Sequence, residues 1–593
     1  MPFRPRYAIS LLLLFCAAAV GYLMYTRTQQ QELWGHLPLA LYLFLWAGIA
    51  LFVTRKQDRP GRRRFSLSTT SGFLLGLGFP GHLPFPFLLL IAWVPLLLMQ
   101  RDTHRTKTVF WHGFNTFLLY NIVATYWVTN TAFAAGLFAV VVNSFLMCLP
   151  WLAFHWTSRV SPKVSYLSLI AFWVAFEHFH YNWSLNWPWL TLGNGFAQFP
   201  SLIQWYEVTG VLGGTAWILL VNYLALHWYR SPEPRRAPIY VLAAALLPMA
   251  ASLIRYTTYS PPQQSNSPID QQTITVSTLQ PNLEPHYEKF SEDEGAQLEI
   301  FTALSQKALA QAPAAVDYLL LPETSFSRIE EGRINAAPAL RALMDALPPE
   351  KVRYLVTGYG GYYRFQPGEE VTDAVRYFPT ADGSEIAIER LNGAAQIDLE
   401  TGDFQTYRKG LFVPGAESFP FRNVLFFLEP LVNSLGGTVA GLGTQSERTV
   451  LVGERAKVAP VICYESVFGE YFTDYIREGA QAVFVMTNDG WWDHTAGYRQ
   501  HLYFSSLRAI ETRRSVVRSA NMGACAFIDQ RGYIESQTRY GERGFLNGTL
   551  QLNDAITPYV RYGDLISRVA WLLAVMALLS NLAHTLRRRS GAL

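Results

Sequence analysis

The sequence predicts a polytopic bundle of α-helices in a membrane, joined to a layered α/β domain outside the membrane. Half of the 593 residues are hydrophobic and only 16% are charged, whereas soluble chains carry about 25% charged residues. Long apolar runs fill the N-terminal part of the chain, and one more lies near the C-terminus. Between them, short β-branched runs alternate with helical patterns, which is typical of an α/β domain.

Ten apolar runs are candidates for membrane-spanning helices, because about 20 apolar residues cross a bilayer. They lie at 7–25, 38–53, 67–79, 83–99, 109–128, 132–156, 166–180, 203–228, 239–254 and 565–586. The first run follows two arginines, as a signal peptide would, but it lacks a small-residue cleavage site, which favours a retained helix. The 17 tryptophans suit the aromatic belts at a membrane surface.

Positive charge falls at every second connection between these runs. Lys and Arg cluster at 4–6, 55–64, 101–107, 159–163, 230–236 and 587–589, whereas the connections at 29–32, 80–84, 129–130 and 180–188 are nearly free of them. Cytoplasmic loops carry the excess of positive charge, so we expect both termini in the cytoplasm and residues 257–563 on the opposite side. A net charge of +4 is too small to indicate a nucleic-acid partner.

The four cysteines, Cys16, Cys148, Cys463 and Cys525, show neither a CxxC motif nor a Cys/His spacing. This pattern indicates neither a zinc motif nor a disulfide framework, and we expect no metal and no other cofactor. Free cysteine is among the most buried residue types. Taken alone, each of these cysteines is therefore best interpreted as a packing residue.

A Pro/Ser/Gln-rich stretch at 260–268 marks a domain boundary. The predicted parts are two N-terminal helices at 1–64, a transmembrane bundle at 65–257, a linker at 258–270, an α/β domain at 271–562, and a C-terminal helix with a basic tail at 563–593. In the α/β domain, the predicted strands are 273–279, 318–321, 354–358, 395–397, 458–462, 482–486, 515–519 and 524–528, and the predicted helices are 293–310, 338–346, 469–478 and 497–513. Several strands are apolar on both faces, so we expect helices to cover the sheet on each side.

Chemically complementary polar residues lie at the ends of three strand-like segments. Glu323 follows one apolar run, Lys409 ends a strand–turn unit, and Cys463 follows the apolar run 458–462. Any one of them alone would be a surface group or a packing residue. Their recurrence at strand ends indicates a site, because a strand end holds a side chain rigidly beside an open loop.

These three residue types support nucleophilic chemistry. A thiol with a pKa near ~8.5 needs a base or a nearby positive charge before it reacts as a thiolate. We expect Glu323 to take the proton from Cys463, with burial raising the pKa of the carboxyl group. We expect Lys409 to stabilise the thiolate and, with the backbone N–H of Tyr464, the oxyanion of a tetrahedral intermediate.

At these positions the sequence resembles the nitrilase superfamily, whose triad is Glu, Lys and Cys in that chain order. The motifs are Leu321-Pro-Glu323, Tyr407-Arg-Lys409 and Val461-Ile-Cys-Tyr-Glu465. From about residue 65 to its end, the chain resembles the apolipoprotein N-acyltransferase family. Further motifs of that family are Phe172-Trp-Val-Ala-Phe-Glu177, Trp187-Pro-Trp-Leu190, Thr487-Asn-Asp-Gly-Trp491 and Arg508-Ala-Ile-Glu511.

The resemblance implies a nitrilase-like α-β-β-α sandwich and a two-step acyl transfer. Cys463 would take a fatty acyl group from a phospholipid as a thioester. The α-amino group of the N-terminal S-diacylglyceryl cysteine of an apolipoprotein would then accept it. The catalytic residues Glu323, Lys409 and Cys463 would lie on the periplasmic side of the bacterial cytoplasmic (inner) membrane, and we expect a monomer.

Further residues are expected to support catalysis or to bind substrate, namely Glu417, Tyr464, Glu465, Asn488, Trp491, Phe290 and Glu177. The family usually has Trp where this chain has Phe290, and a phenyl ring preserves stacking but not an indole hydrogen bond. The loop from Val413 to Glu417 also departs from the commoner Val-Pro-Phe-Gly-Glu form, and residues 1–64 are extra to the usual arrangement. Glu177 lies in an apolar run, where a carboxylate either faces a functional cavity or makes a structural hydrogen bond; both interpretations stay open.

Two other functions fit parts of the sequence. One is a membrane-tethered carbon–nitrogen hydrolase (an amidase or nitrilase) with the same triad, although hydrolysis of a small substrate does not require a membrane bundle. The other is an inactive scaffold or transporter-like protein with the same fold. The intact Glu323, Lys409 and Cys463 argue against it.

Overall fold

The computed structural model describes residues 5–230, 237–261, 272–290, 293–380, 384–418, 421 and 441–590. These residues form a helical bundle from the two ends of the chain and an α/β domain from its middle. Most of the predicted linker at 258–270 lies outside the described residues, since its positions from 262 onward are not among them.

The bundle is built from helices of the N-terminal part and one C-terminal helix. They are α1 (Pro5–Gln29), α2 (Leu37–Thr54), α3 (Arg59–Gly78), α4 (Val94–Arg101), α5 (Thr106–Thr125), α6 (Val128–Thr131), α7 (Phe133–Val160), α8 (Ser165–Phe179), α9 (Tyr206–Arg230), α10 (Ala237–Thr258) and α16 (Leu565–Arg589). In the described part of the chain, six of them are long and apolar enough to cross a membrane: α1, α2, α7, α9, α10 and α16. The predicted polytopic bundle is confirmed.

The apolar run at 83–99 does not form the continuous helix that was predicted. A 3-10 turn covers Pro86–Leu90, and α4 begins only at Val94. Prolines at 84, 86 and 95 lack the N–H donor that a helix interior needs. The prediction of one unbroken span was therefore wrong here, and the segment folds as a bent, shorter element.

The N-terminal helices α1 and α2 pack as a hairpin on the rest of the bundle. The Tyr42 hydroxyl lies 2.8 Å from Oγ1 of Thr129, and Nε1 of Trp46 donates to Oδ1 of Asn115 over 2.9 Å. Only 17% of the most apolar 18-residue stretch of α1 is buried within the protein. Its outward surface is apolar, as expected for a helix that faces lipid.

The α/β domain contains two sheets and the helices that flank them. The strands are β1 (Thr273–Gln280), β2 (Val316–Leu320), β3 (Phe326–Glu330), β4 (Val352–Arg364), β5 (Arg376–Pro379), β6 (Glu385–Asp398), β7 (Phe404–Arg408), β8 (Leu451–Val452), β9 (Lys457–Ile462), β10 (Ala482–Thr487), β11 (Ser515–Ala520), β12 (Ala526–Ile528), β13 (Ile534–Gln537) and β14 (Gly544–Gln551). The helices are α11 (Glu294–Gln311), α12 (Pro338–Ala346), α13 (Gly469–Arg477), α14 (Ala496–Thr512) and α15 (Pro558–Tyr562). One sheet has the order β14-β1-β2-β4-β6-β5, with β3 beside β4 and β7 beside β6, and the other has the order β13-β12-β11-β10-β9-β8.

The two sheets pack face to face with helices on their outer sides. Tyr318 of β2 meets Phe484 of β10 with the ring centroids 5.1 Å apart. On the first sheet, α11 and α12 contribute Phe301 and Leu343 to a buried cluster with Leu355. On the second sheet, α13 and α14 contribute Phe472 and Leu502 to the buried cluster that contains its strands. This arrangement is the predicted α-β-β-α sandwich.

Helix α14 fastens the α/β domain to the bundle. Oε1 of its buried residue Gln500 accepts hydrogen bonds from the indoles of Trp127 and Trp189 over 3.1 and 2.7 Å. The amide nitrogen of Gln500 donates to the backbone oxygens of Pro80 and Ala124 over 2.8 and 3.0 Å. Every one of these partners belongs to the bundle. The single side chain of Gln500 therefore links the α/β domain to the bundle through four hydrogen bonds.

Candidate active site

Glu323, Lys409 and Cys463 meet at one edge of the two-sheet core. Glu323 follows β2, Lys409 directly follows β7, and Cys463 directly follows β9. All three residues are buried, with 6%, 1% and 8% of their surfaces exposed. The structure thus brings together the three residues that the sequence singled out from separate strand ends.

The ammonium group of Lys409 lies between two carboxylates. It donates to Oε1 of Glu323 over 3.0 Å, and to Oε1 and Oε2 of Glu417 over 2.7 and 3.0 Å. Oε2 of Glu417 also accepts from the backbone N–H of Val413 over 2.9 Å. The altered loop from Val413 to Glu417 therefore still delivers its carboxylate to Lys409.

The charges of this network set its protonation. Burial lowers the pKa of Lys409, but Glu323 and Glu417 outweigh it and raise the pKa well above the ordinary value. Burial raises the pKa of Glu323, but Lys409 and the amide of Asn392 outweigh it, so the pKa lies below the ordinary value. The expectation of a raised pKa for Glu323 was wrong, because the lysine is in direct contact. Glu323 is ionised and ready to accept a proton.

Cys463 begins a 3-10 helix in a left-handed backbone conformation. Its φ is +48°, a value that side chains with a Cβ rarely adopt and that turns the chain sharply at the end of β9. Burial raises the pKa of the thiol, the carboxylate of Glu323 adds to the effect, and Lys409 opposes it. The resting residue is therefore a thiol, which becomes a strong nucleophile only once its proton is removed.

A buried ionic cluster lies behind the backbone of Cys463. Nε2 of His501 is 3.2 Å from the carbonyl oxygen of Cys463 and 2.9 Å from Oγ of Ser466. Nδ1 of His501 is 2.9 Å from Oδ1 of Asp489, which also pairs with Arg518. Burial raises the pKa of Asp489, but Arg518 and His501 outweigh it and lower it to about 2. The histidine thus contacts the backbone of Cys463, where it supports the turn.

Glu465 joins the ends of β7 and β9. Its Oε1 accepts from the hydroxyls of Tyr407 and Tyr471, both over 2.6 Å, and from the backbone N–H of Gly410 over 2.7 Å. Its Oε2 accepts from the N–H of Ile462 over 2.8 Å. Gly410 follows Lys409 and Ile462 precedes Cys463. Glu465 therefore fixes the spacing between lysine and thiol without contacting either side chain in the described hydrogen bonds.

Asn392 was not singled out from the sequence, although it contacts both carboxylates. Its amide nitrogen donates to Oε1 of Glu323 over 2.9 Å and to Oε1 of Glu417 over 3.2 Å. Its backbone carbonyl oxygen accepts from the backbone N–H of Lys409 over 2.9 Å. The residue lies inside the long strand β6, and only the pairing of β6 with β7 brings it to the site.

Lys289 was also missed, and it is a second buried lysine in the same place. It is 4% exposed, and its Nζ donates to the backbone oxygen of Glu323 and to Oγ1 of Thr324, each over 2.8 Å. It lies in the polar loop between β1 and α11. Because lysines in polar loops are usually solvated, its local sequence gave no signal.

Aromatic side chains lie next to this lysine. Phe290 is 58% exposed and stacks on Trp491, with centroids 5.9 Å apart and an interplanar angle of 18°. The stacking expected of a phenyl ring at this position is present. Asn488, just before Trp491, accepts from Nδ2 of Asn521 over 3.1 Å, and its own Nδ2 is buried without a partner among the described residues.

Two of the predicted supporting residues reach into the bundle or lie within it. The hydroxyl of Tyr464 donates to the backbone oxygen of Asn186 over 2.9 Å. Glu177 accepts from Trp173 and from the N–H of Leu192, both over 2.9 Å, and from Thr215 over 2.6 Å. These donors make Glu177 a structural carboxylate of the bundle, and it is not part of the network around Lys409.

In the described part of the chain, one group of residues has the donor types of a metal site. Ligand atoms of His178, Glu470 and Asp564 lie within 4.8 Å of one another. Glu470, however, already pairs with Arg568, and Asp564 accepts from Tyr559 over 2.8 Å. These contacts describe a polar junction between α8, α13 and α16, and it is separate from the network around Lys409.

Two family models match the chain. One, described as the apolipoprotein N-acyltransferase N-terminal domain, matches residues 71–224, and the other, described as carbon-nitrogen hydrolase, matches residues 274–557. Together they cover more than half of the chain, and the second segment contains Glu323, Lys409 and Cys463. Among solved structures, an amidase from Nesterenkonia sp. matches with 18% identity and a TM-score of 0.32, over 50% of this chain and 96% of that one.

Curated proteins named apolipoprotein N-acyltransferase match most of the chain. The one from Chlorobaculum tepidum is 29% identical over 531 residues, or 87% of this chain and 96% of the relative. The one from Geobacter metallireducens is 26% identical over 554 residues, or 90% of this chain and 97% of the relative. The membrane-spanning helices and these relatives identify a membrane protein. The chain belongs to the apolipoprotein N-acyltransferase family.

Proposed function

We propose that this chain transfers a fatty acyl group from a phospholipid to the α-amino group of the N-terminal S-diacylglyceryl cysteine of apolipoproteins. Cys463 carries the acyl group as a thioester. The relatives' common name supports the overall reaction. The observation that carries the proposal is the buried network in which Lys409 joins Glu323 to Glu417 beside the thiol.

In the first half-reaction, the sulfur of Cys463 attacks the ester carbonyl of the phospholipid while Glu323 takes the thiol proton. Lys409 and the backbone N–H of Tyr464 stabilise the oxyanion of the tetrahedral intermediate. When the intermediate collapses, the C–O bond breaks and Glu323 returns the proton to the leaving alkoxide. A lysophospholipid departs, and the acyl group stays on sulfur.

In the second half-reaction, the neutral α-amino group of the lipoprotein attacks the thioester carbonyl. Glu323 accepts a proton from the nitrogen, a C–N bond forms and the C–S bond breaks. The proton passes to the departing sulfur, which restores Glu323 and Cys463. Because the product is an amide, which is more stable than a thioester, the step runs forward.

The other residues of the site hold this arrangement in place. Glu417 orients Lys409, and Glu465 fixes the distance between Lys409 and the nucleophile. Phe290 and Trp491 form an aromatic border beside the site, in keeping with substrates that carry acyl chains. A preorganised network of this kind lowers the barrier without rearranging during the reaction.

The membrane bundle serves substrates that are themselves anchored in lipid. The contact of Tyr464 with the backbone of Asn186 joins the residue after the nucleophile to the bundle. We propose that residues 271–562 form the periplasmic catalytic domain of an inner-membrane protein whose termini are cytoplasmic, with the transmembrane bundle at 65–257. The alternation of Lys and Arg between connections supports this orientation.

The mechanism is tested by isolating the acyl-enzyme. Purified full-length protein is incubated with phospholipid labelled in its acyl chain, and the Cys463 peptide is examined by mass spectrometry. We expect a hydroxylamine-sensitive acyl adduct in the wild type and in Cys16→Ala, and none in Cys463→Ala. A diacylglyceryl peptide with a free N-terminal amine should discharge the adduct to an amide. Transfer without any adduct would refute the thioester, and discharge only to free fatty acid would indicate a hydrolase.

A further inference from the structure

Lys289 is a buried cation whose hydrogen-bond partners are both neutral oxygens. Its ammonium group donates to the backbone oxygen of Glu323 and to the hydroxyl of Thr324. Burial lowers the pKa of Lys289 to about 8, and the charges of Glu323 and Cys463 oppose that shift. Burying an ammonium group is costly unless a charge compensates it. In the resting site the compensating charge is the carboxylate of Glu323, the proposed base.

The position of Lys289 is fixed by its own backbone. Its N–H donates to the oxygen of Glu284 over 2.8 Å, and its carbonyl oxygen accepts from Nε2 of Gln297 over 2.6 Å. The lysine is therefore anchored on both sides of its Cα. Its side chain therefore extends into the site from a loop whose backbone is fixed by hydrogen bonds.

The turn that Lys289 binds is strained. Thr324 has a φ of +48°, a conformation that a β-branched residue rarely adopts and that surrounding contacts must maintain. Lys289 supplies two of those contacts, one to each residue of the pair Glu323–Thr324. Without them, the backbone that aims the Glu323 carboxylate at Lys409 would lose its anchor.

We propose that Lys289 is a positioning residue for the reaction, which fixes the Glu323–Thr324 turn and supplies a second positive charge that favours the thiolate of Cys463. This inference rests on the proposed roles of Glu323 and Cys463. It adds a second lysine to the site, next to the family's Glu, Lys and Cys.

The sign of the effect follows from the charges around the sulfur. The ionisable groups that act on Cys463 are Glu323, Lys409 and Asp489, and Lys289 acts on it as well. Asp489 is neutralised by Arg518, and Lys409 is shared by two carboxylates. When its ammonium group is charged, Lys289 together with Lys409 balances the two carboxylates Glu323 and Glu417. Its removal should make the thiol harder to deprotonate.

The test measures the rate at which iodoacetamide alkylates Cys463 as a function of pH, using full-length protein in detergent and mass spectrometry of the Cys463 peptide. In Lys289→Met we expect alkylation at a fixed pH below about 8, where the ammonium group of Lys289 is charged, to be about tenfold slower than in the wild type. Lys289→Arg keeps the charge and should stay near the wild type. Lys307→Met, which removes an exposed lysine of α11, is the matched control, and its Cys463 should be alkylated at the wild-type rate.

Two outcomes would overturn the inference. One is an unchanged alkylation rate below about pH 8 in Lys289→Met, and the other is an equal slowing in Lys289→Arg, which would assign the effect to lost packing. Should Lys289→Met fail to fold, Lys289→Gln replaces it under the same criteria. Failure of both to fold while Lys289→Arg folds would show a structural role only, which also overturns the inference.

Acylation by labelled phospholipid is read in parallel on the same samples. A wild type that forms no acyl adduct refutes the proposed function, whatever the alkylation profiles are. A wild type that forms the adduct, with alkylation unchanged in Lys289→Met, refutes only the role of Lys289.

Discussion

Lys409 gives two hydrogen bonds to Glu417, over 2.7 and 3.0 Å, and one to Glu323, over 3.0 Å. Most of the lysine's hydrogen-bonding capacity thus goes to Glu417. Glu323, the proposed base, accepts one hydrogen bond from the lysine and keeps acceptor capacity for a proton. In the proposed mechanism, Glu417 therefore orients the lysine and Glu323 moves the proton.

Glu323→Gln should abolish acyl transfer while the protein still folds. The amide is similar in size and keeps an oxygen for Lys409 and Asn392, but it cannot take the thiol proton. General-base catalysis contributes about 10²–10⁴-fold, so we expect the rate of Cys463 acylation to fall by at least about 100-fold. The measurement is adduct formation over time by mass spectrometry. Glu299→Gln, at an exposed position of α11, is the control, and an equal loss there would contradict the assignment.

Gly358→Ala should impair the same step through the backbone. A Cβ at Gly358 would lie 2.6 Å from Cα of Glu323 and 2.7 Å from the backbone oxygen of Pro322, so Glu323, the proposed base, would have to move. We expect at least about a tenfold loss of acylation, since misplacement by ~1 Å is costly in preorganised sites. At Gly360, on the same strand, the nearest atoms to a Cβ are 3.9 Å away. Gly360→Ala should therefore remain near wild-type activity, and a similar loss in both variants would refute the explanation.

The proposed triad could be predicted because each member follows an apolar segment of recognisable strand character. Glu323 and Cys463 come after buried runs, and Lys409 comes after a short alternating strand. The local sequence pattern therefore indicates that these three residues lie at strand ends. Strands that are apolar on both faces predict a layered α/β domain with helices on each side of the sheet, whereas the α-β-β-α order was implied by the resemblance to the nitrilase superfamily.

The features that were missed depend on pairing between distant segments. Asn392 looks like any polar residue of a strand until β6 pairs with β7. β14 includes Gly544 and Gly548, and glycine lowers its strand propensity. Its antiparallel pairing with β1 over eight residues decides its conformation. Burial of Lys289 likewise depends on its contacts with the turn at Glu323. That turn is distant in the sequence, so the loop around Lys289 does not reveal it.

Glu465→Gln should destabilise the fold of the domain. The carboxylate accepts from the N–H of Ile462 on one oxygen and from the N–H of Gly410 on the other. An amide offers one acceptor and one donor, so one of these buried N–H groups would face another donor. Leaving a buried group unsatisfied costs about 1–3 kcal/mol. Thermal unfolding of Glu465→Gln in detergent should show a lower Tm than that of the wild type. Glu454→Gln, at an exposed position, should show no decrease in Tm. An unchanged Tm for Glu465→Gln would mean that the site repacks.

Asp489 should make stability depend on pH in the acid range. Its pKa in the folded protein is about 2, against an ordinary value of 3.8, because Arg518 and His501 outweigh its burial. A lowered folded pKa contributes stability that is fully present above the unfolded pKa and is lost as the pH falls through the folded value. The contribution is about 2 kcal/mol at neutral pH, and it should disappear between about pH 4 and pH 2.

Asp489→Asn removes the charge, so its Tm should lie well below that of the wild type at pH 7, and the difference in Tm should narrow steadily on acidification. Asp345→Asn, on an exposed face of α12, should follow the wild-type curve. A gap for Asp489→Asn that stays constant from pH 7 to pH 3 would show that the ion pair with Arg518 does not stabilise the turn behind Cys463.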